Sequence, residues 1–162
     1  MTMFDLLNNF QIVAGVPPTT GNGAATGDYI AMENAHAIWS IITFDRPTAG
    51  ACAITHEVAS DYAGTGSSAV ADGVYHWATT DYVAKEYLTP KTSLAYAYTL
   101  PASTGKAIVV SRFDPAEAAS SNTHYCVKLG TLGSANDSFA ATYLIEHRYP
   151  QLRKVLATTS ST

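Results

Sequence analysis

The stretch Ala37–Phe44, with the sequence AIWSIITF, is the strongest strand candidate in this chain of 162 residues and decides its fold class. Successive side chains of a β-strand point to opposite faces of the sheet. One face of this stretch would consist of Ile38, Ile42 and Phe44, and the other of Trp39 and Ile41. Because apolar residues occupy both faces, we expect a strand that other parts of the protein cover on both sides.

Turn-forming residues separate this stretch from strand-like segments on either side. Asp45–Gly50 (DRPTAG) contains proline and glycine, and predicts a hairpin loop that leads into a strand at Ala51–Val58. Pro17-Pro18 predicts the end of a first strand, and Asp72-Gly73 predicts a second hairpin. The other predicted strands are Phe10–Val16, Asp28–Met32, Ser68–Ala71, Val74–Ala78, Ser93–Leu100, Lys106–Phe113, Thr123–Leu129 and Ser138–Glu146.

Two regions predict short helical turns. The segment Asp114-Pro115-Ala116-Glu117 combines an N-cap aspartate, a proline at the first helical position and a glutamate placed for a capping box. Thr79–Pro90 is ambiguous, and is compatible with a short helix that begins near Asp81 or with a tyrosine-rich excursion.

The complete pattern indicates an all-β protein. We expect an antiparallel β-sandwich or a jelly-roll-like barrel of about eight to ten strands, with one or two short helical turns. The sequence has no internal repeat and no interdomain linker. We therefore predict one domain at residues 10–150, preceded by an N-terminal arm at residues 1–9 and followed by a C-terminal tail at residues 151–162.

Composition argues against nucleic acid as a direct partner. Charged residues make up only 14% of the chain, against about 25% in an average soluble domain. The net charge is −4, and the nine lysines and arginines are scattered apart from Arg148, Arg153 and Lys154. Phosphate binding needs a clustered excess of positive charge. A neutral, hydroxyl-rich surface is compatible with extended contacts to other proteins instead.

The sequence does not predict a signal peptide or a membrane-spanning segment. The segment Met1–Phe10 lacks the basic and apolar regions of a signal peptide, and no stretch approaches the ~20 apolar residues of a membrane span. We therefore expect cytosolic synthesis and no membrane partner. Cys52 and Cys126 match no metal motif, so they are buried free thiols, or a disulfide if their strands adjoin.

No arrangement of residues predicts catalysis, a cofactor or a metal site. The five histidines lack the spacings of zinc ligands, and we expect them to be polar residues at strand edges or ends. His56 is adjacent to Glu57 in sequence, so the two side chains point to opposite faces of a strand. The glycine-rich segment Gly64–Ser68 lacks the lysine of a phosphate-binding loop, and most aspartates occupy turn positions. The chain is therefore not expected to be an enzyme.

Aromatic residues supply the candidate binding positions within the domain. Six of them crowd into one quarter of the chain, namely Tyr75, Trp77, Tyr82, Tyr87, Tyr96 and Tyr98. Tyrosine and tryptophan are enriched at protein interfaces, although strands also favour aromatic residues for packing. We take Tyr82 and Tyr87, in the loop-like stretch, as candidate interface residues.

Three segments in this order resemble a group of small structural proteins encoded by tailed phages. The first is Gly23–Met32 (GAATGDYIAM) with Glu33–His36 after it, the second is Glu57–Ala69 (EVASDYAGTGSSA), and the third is Ala141–Pro150 (ATYLIEHRYP). The resemblance covers residues 10–151 approximately. The chain departs from the group where Glu146-His147 replaces an Asp-Pro-like pair before Arg148-Tyr149-Pro150.

The resemblance implies a head-associated role, namely decoration or cementing of a capsid. The implied partners are the major capsid protein and copies of the chain itself, for example as a homotrimer. The implied location is the capsid surface of a virion, after synthesis in the cytoplasm of the host bacterium. A tail-tube or head–tail joining component is the alternative, and a carbohydrate- or receptor-binding β-module on the virion is a third interpretation.

Apolar residues outside the domain are candidate attachment points for that role. The predicted partner-interface residues there are Met3, Phe4, Leu6 and Leu7 in the arm and Leu152, Val155 and Leu156 in the tail. Specificity at such a contact would come from buried anchors and shape more than from charge. Disordered terminal segments are the other interpretation.

Overall fold

The computed structural model describes residues 9–70, 74–80, 83, 87–91 and 97–148. Within these ranges the chain forms ten strands and one 3-10 helix at Pro115–Glu117, which confirms the all-β prediction. The strands are β1 (Phe10–Thr20), β2 (Ala25–Thr26), β3 (Ile30–Ala31), β4 (Ala35–Ala59), β5 (Ser68–Ala69), β6 (Val74–Thr79), β7 (Thr89–Lys91), β8 (Ala97–Phe113), β9 (His124–Leu129) and β10 (Ser138–His147).

All ten strands belong to one antiparallel sheet. Its main order is β1-β10-β4-β8-β6-β7, and β9 pairs with the second half of β4. Strands β2 and β3 extend the sheet beyond β9, and β5 pairs with the end of β4. The sheet is not closed into a barrel, so of the two predicted architectures the jelly-roll-like barrel is wrong.

The long strands β4 and β8 carry the sheet through a corner, so that its two halves face each other as two layers. Tyr125 of β9 shows this directly, because its ring stacks on Phe113 of β8 with centroids 4.9 Å apart. Its hydroxyl lies 2.9 Å from the Ser40 hydroxyl in the first half of β4. The core between the layers includes Ile38, Ile42 and Phe44, and burying each such side chain contributes about 1.5–3 kcal/mol.

The predicted hairpin loop at Asp45–Gly50 is wrong, because β4 bends there and continues. Arg46 is fully buried at the bend, where its guanidinium donates to the carbonyl oxygens of Gly50 (3.0 Å), Pro101 (2.8 Å) and Thr80 (2.9 Å). A Cβ atom at Gly50 would collide with the carbonyl oxygen of Leu132. These contacts hold the bend against neighbouring strands, so the chain changes direction without reversing.

Strand β8 makes the matching bend on the other side of the corner. The sequence predicted separate strands at Ser93–Leu100 and Lys106–Phe113, whereas β8 is continuous over Ala97–Phe113 and residues 92–96 lie outside the described ranges. Gly105 is paired with Arg46 and has a φ of +108°, a conformation that glycine adopts without a steric penalty. The bend of β8 therefore depends on this glycine.

The prolines at positions 17 and 18 do not end the first strand. Strand β1 runs on to Thr20, with register shifts between Ala14 and Val16 and between Val16 and Thr19. Among the strands that the structure describes, β1 pairs only with β10, so it is an edge strand, where prolines and bulges are tolerated.

The other turn predictions have mixed outcomes. The helix start is confirmed, since the Asp114 carboxylate accepts from the backbone N–H of Ala116 at 3.0 Å. The hairpin expected across Asp72-Gly73 is wrong, because β5 pairs with β4 while β6 pairs with β7 and β8. The helix proposed near Asp81 lies outside the described residues.

Candidate functional site

The outward-facing residues of five adjacent strands form an apolar surface. The pairing of β1, β10, β4, β8 and β6 places these residues in two rows. The first row is Ile12, Leu144, Trp39, Arg112 and Tyr75, and the second is Ala14, Thr142, Ile41, Val110 and Trp77. We call these ten residues the outer face. Arg112 is its only charged member.

The outer face corrects the expectation that Ala37–Phe44 is covered on both sides. The inner side chains of this stretch are buried as predicted. On the other side, Ile41 is 37% exposed and Trp39 is half-buried. The neighbouring Tyr75 is 46% exposed and Ile12 is 55% exposed. Contiguous apolar patches of this kind mark interaction sites more often than isolated exposed residues do.

The aromatic side chains of the outer face pack against one another. The rings of Trp39 and Trp77 have centroids 5.9 Å apart and an interplanar angle of 29°. The rings of Tyr75 and Trp77 are arranged similarly, with centroids 6.5 Å apart and an interplanar angle of 28°. The guanidinium carbon of Arg112 lies 5.7 Å from the centroid of the Trp39 ring, within the range of a cation–π interaction. This mutual packing fixes the rings before any partner binds, which lowers the entropic cost of binding.

A second cluster lies between the two layers and consists of buried polar side chains. His56 Nδ1 lies 2.6 Å from the Tyr125 hydroxyl, which is 2.9 Å from the Ser40 hydroxyl. On the other side of the ring, His56 Nε2 lies 3.1 Å from His76 Nε2. Both histidines are almost completely buried in the core. The prediction that the histidines lie at strand edges or ends is therefore wrong for these two.

Burial keeps the two imidazoles neutral. It lowers the pKa of His56 to about 3, with a further contribution from His76, and it lowers the pKa of His76 to about 4. The hydrogen bonds can run from Ser40 through Tyr125 and His56 to His76, or in the reverse direction, and both arrangements leave the rings uncharged.

The buried cluster has the properties of a structural network. Its members are shielded from solvent, and burial also raises the pKa of the Tyr125 hydroxyl well above its usual value. No group of three or more histidine, cysteine, aspartate or glutamate side chains is positioned to hold a metal ion within the described ranges. The geometry therefore fits a polar bridge that fixes the two layers relative to each other.

The two cysteines are free and buried, so the alternative of a disulfide is wrong. The Cys52 thiol lies 3.2 Å from the carbonyl oxygen of Gly130. Burial raises the pKa of both thiols, Cys52 and Cys126, to about 11. Since the thiolate is the reactive form of cysteine, neither side chain is set up as a nucleophile near neutral pH.

Of the interface residues predicted from the sequence, the structure describes only Tyr87, which is 72% exposed and lies just before β7. The others are Met3, Phe4, Leu6, Leu7, Tyr82, Leu152, Val155 and Leu156, and all lie outside the described residues. The outer face was missed by the sequence reasoning. The sequence did contain an indication of it. Trp39 and Ile41 make the second face of AIWSIITF apolar, and Tyr75 and Trp77, two residues apart, lie on one face of another predicted strand.

The described chain begins and ends at the same end of the domain. Phe10, at the start of β1, is paired with Glu146, near the end of β10. Arg148 follows β10, and its backbone N–H donates to the Asn34 carbonyl at 2.8 Å while its Nε donates to the Ala35 carbonyl at 3.2 Å. A cleft of about 460 Å³ lies beside this point, lined by Met32, Glu33, Asn34, Ala35, Pro115, Asn122, Thr123 and Arg148.

The three segments that carry the resemblance to phage proteins contact one another. Tyr29 of the first segment donates a hydrogen bond to Glu57 of the second at 3.0 Å. Gly64 of the second packs against the Tyr29 ring, where a Cβ atom would be only 2.6 Å from the ring. The backbone N–H of Arg148 in the third segment donates to the carbonyl of Asn34, in the Glu33–His36 stretch that follows the first segment. Residues far apart in sequence thus form one continuous part of the domain.

Comparisons with known proteins found low similarity. No family model and no curated protein matches the chain. The SPBc2 prophage-derived protein YomS has a structure with a TM-score of 0.46 and 7% identity, covering 85% of this chain and 92% of that one. A carbohydrate-binding module specific for non-crystalline cellulose gives a TM-score of 0.30 and 9% identity, covering 76% and 62% of the two chains.

A structure of infectious bursal disease virus, Gx strain, is also similar, with a TM-score of 0.26 and 8% identity over 84% of this chain and 39% of that one. None of these similarities indicates a function for this chain. No helix within the described ranges is long and apolar enough to cross a membrane.

Proposed function

We propose that this chain is a structural protein of a tailed-phage particle that decorates the capsid by binding the major capsid protein. The observation that carries the proposal is that β1 begins and β10 ends side by side, with Phe10 paired to Glu146. The segments at residues 1–8 and 149–162 therefore connect to the domain at one common end. Attachment at this end would leave the sheet free to project from the shell.

The residues of these segments suit a clasp on a protein surface. Residues 1–8 contain the apolar side chains of Met3, Phe4, Leu6 and Leu7, and the C-terminal segment contains Leu152, Val155 and Leu156. Eight extended residues span at most about 29 Å, which is enough to reach across a neighbouring subunit surface. Apolar anchors in such a segment would supply most of the binding free energy, because a few buried residues dominate most interfaces.

The described domain supports a binding role in two further ways. Two of its histidines, His56 and His76, and both cysteines are buried in forms that do not favour catalysis, as the lowered pKa of His56 and the raised pKa of Cys52 indicate. Its surface carries little charge, with 14% charged residues in the sequence. The virion assignment itself comes from the three ordered segments that resemble phage structural proteins.

Capsid binding by point variants tests the proposal. Capsids of the encoding phage that lack this protein would be mixed with the full chain, and bound protein measured after sedimentation. The double substitution Leu6→Asp and Leu7→Asp is expected to reduce binding at least tenfold, because burying unpaired carboxylates in an apolar contact is costly. Thr99→Arg, an exposed position on β8, is the matched control and should bind as the wild type does.

Two results would contradict the proposal. One is a wild-type chain that does not bind the shell. The other is equal binding by the wild type and the arm variant, which would mean that the N-terminal segment contributes no anchor.

A carbohydrate-binding function is the second candidate, and the aromatic rings of the outer face favour it. Trp39, Trp77 and Tyr75 form a near-parallel group beside Arg112, a combination of apolar and polar groups that also suits sugars. A glycan screen with the wild type and Trp77→Ala tests this function. Absence of binding by the wild type would end it.

A further inference from the structure

Under the proposed attachment through the end of the domain where β1 begins and β10 ends, the outer face would stay open to a further contact. It carries Arg112 in its first row, and Glu146 lies on the same side of the sheet, two residues beyond Leu144 on β10. In the described part of the chain, neither Arg112 nor Glu146 forms an ion pair. A cation and an anion thus border the same apolar centre.

The positions of these two charges follow from the strand pairing. Arg112 is level with Trp39 and Leu144, whereas Glu146 is level with Ala37. Two strand spacings of about 4.8 Å and two residues of about 3.4 Å along the strand separate them by roughly 12 Å. Trp39 and Leu144 occupy the space between them.

We propose that the outer face binds the outer face of a second copy of this chain, around a two-fold axis that lies in the interface and passes between Trp39 and Leu144. In a two-fold interface, residue i of one copy contacts residue j of the other, and the reverse contact also forms. Arg112 of each copy then meets Glu146 of the other copy. Trp39 of each copy likewise meets Leu144 of the other copy, so the surface is self-complementary.

The size of the face determines the strength of this contact. Three rows across five strands, including the row of Glu146, span about 19 Å by about 14 Å of sheet. This footprint is well below the ~800 Å² per partner of a standard stable interface. The contact is therefore weak in solution, and becomes effective where neighbouring copies are held close together.

Sedimentation equilibrium of the isolated protein tests the contact, independently of capsid binding. The wild type is expected to shift from monomer towards dimer over loading concentrations of roughly 20 µM to 1 mM. Arg112→Glu and Glu146→Arg should each weaken association at least tenfold, because each creates two like-charge contacts per dimer.

An equimolar mixture of these two variants supplies the decisive result. A copy with Arg112→Glu presents two carboxylates and a copy with Glu146→Arg presents two cations, so a mixed dimer has both charge pairs restored. We expect the mixture to regain association within about threefold of the wild type. Lys106→Glu is the matched control, since Lys106 lies on the same strand and face roughly 20 Å from Arg112, and should associate as the wild type does.

Three results would overturn the inference. They are a wild type that stays monomeric at 1 mM, single variants that associate normally, and a folded mixture that does not recover. If a charge variant does not fold, Thr142→Arg replaces it, because Thr142 is exposed in the second row of the outer face and its substitution should block association without unfolding the domain. Normal association of folded Thr142→Arg would equally exclude this face. If the wild-type protein stays monomeric but binds glycans, the outer face would be a carbohydrate-binding surface instead.

Discussion

Folding stability should fall steeply between pH 7 and pH 5, because of the buried pair His56 and His76. Their pKa values are lowered to about 3 and about 4 by burial. An unfolded histidine has a pKa of about 6.5, so the unfolded chain binds more protons than the folded chain in this range. Stability is therefore highest above pH 6.5, and it decreases as the pH falls from there towards the folded-state values.

The decrease in the free energy of unfolding at pH 5 depends little on the exact pKa values of the folded state. At pH 5 the unfolded histidine lies 1.5 pH units below its pKa of about 6.5, and each unit corresponds to about 1.36 kcal/mol. Each buried histidine thus lowers the free energy of unfolding at pH 5 by roughly 2 kcal/mol relative to pH 7, and the pair lowers it by up to roughly 4 kcal/mol. This is a large part of the 5–15 kcal/mol by which domains are typically stable.

Urea unfolding at a series of pH values measures this dependence. For His76→Gln, the difference in unfolding free energy between pH 7 and pH 5 should fall by roughly 2 kcal/mol, because one of the two titrating groups is removed. His36→Gln is the matched control, since His36 is exposed, and should retain the wild-type dependence. A wild-type loss below about 1 kcal/mol, or an unchanged dependence in His76→Gln, would refute the assignment of the acid sensitivity to this pair.

Three further substitutions test the corner and the contact between layers, all by urea unfolding at pH 7. Arg46→Met should cost roughly 3 kcal/mol, because it leaves the buried carbonyl group of Gly50 and the part-buried carbonyl groups of Pro101 and Thr80 without their donors. A cost below about 1 kcal/mol would mean that the guanidinium does not hold the bend. Gly50→Ala should cost about 1–3 kcal/mol through its collision with a backbone carbonyl, whereas Gly23→Ala, with open space around its Cβ position, should be close to neutral. Tyr143→Phe should cost about 1–2 kcal/mol, since its hydroxyl accepts the backbone N–H of Val127 at 2.9 Å, and an unchanged stability would contradict that role.

Local alternation was sufficient to predict which residues face the core. In Ala51–Val58, the residues on one side are Cys52, Ile54, His56 and Val58, and all four are buried in the structure. The same alternation placed His56 among apolar neighbours. The prediction that His56 lies at a strand edge or end was wrong because it relied on the sequence spacings typical of zinc ligands. Such spacings do not reveal a hydrogen-bond partner such as Tyr125, which is 69 residues away in sequence.

The corners of the sheet could not be predicted from local sequence. The residues of Asp45–Gly50 signal that the chain changes direction, but they do not specify whether it reverses. The outcome depends on Arg46, whose acceptors at Thr80 and Pro101 come from other strands and loops. For the same reason, the sequence could not show that β8 continues through Gly105 as one strand.

The exposure of the outer face was equally beyond local reasoning. An apolar second face is compatible with a covering layer of the same chain or with a surface that another molecule covers. Within the described residues, the topology places the second layer against the inner face only, so Trp39 and Ile41 stay accessible. Long-range topology therefore determines which of the two apolar faces is available for binding.

Locating this protein in a phage particle would test the proposed function most directly. If the protein is encoded by a phage as proposed, a cryo-electron microscopy reconstruction of that phage, with and without the protein, would locate it and give its copy number. Decoration of the capsid predicts density over the shell, in contact at the end of the domain where β1 begins and β10 ends, with on the order of hundreds of copies set by the shell symmetry. Density confined to the tail or the head–tail junction, at roughly a dozen copies or fewer, would contradict it.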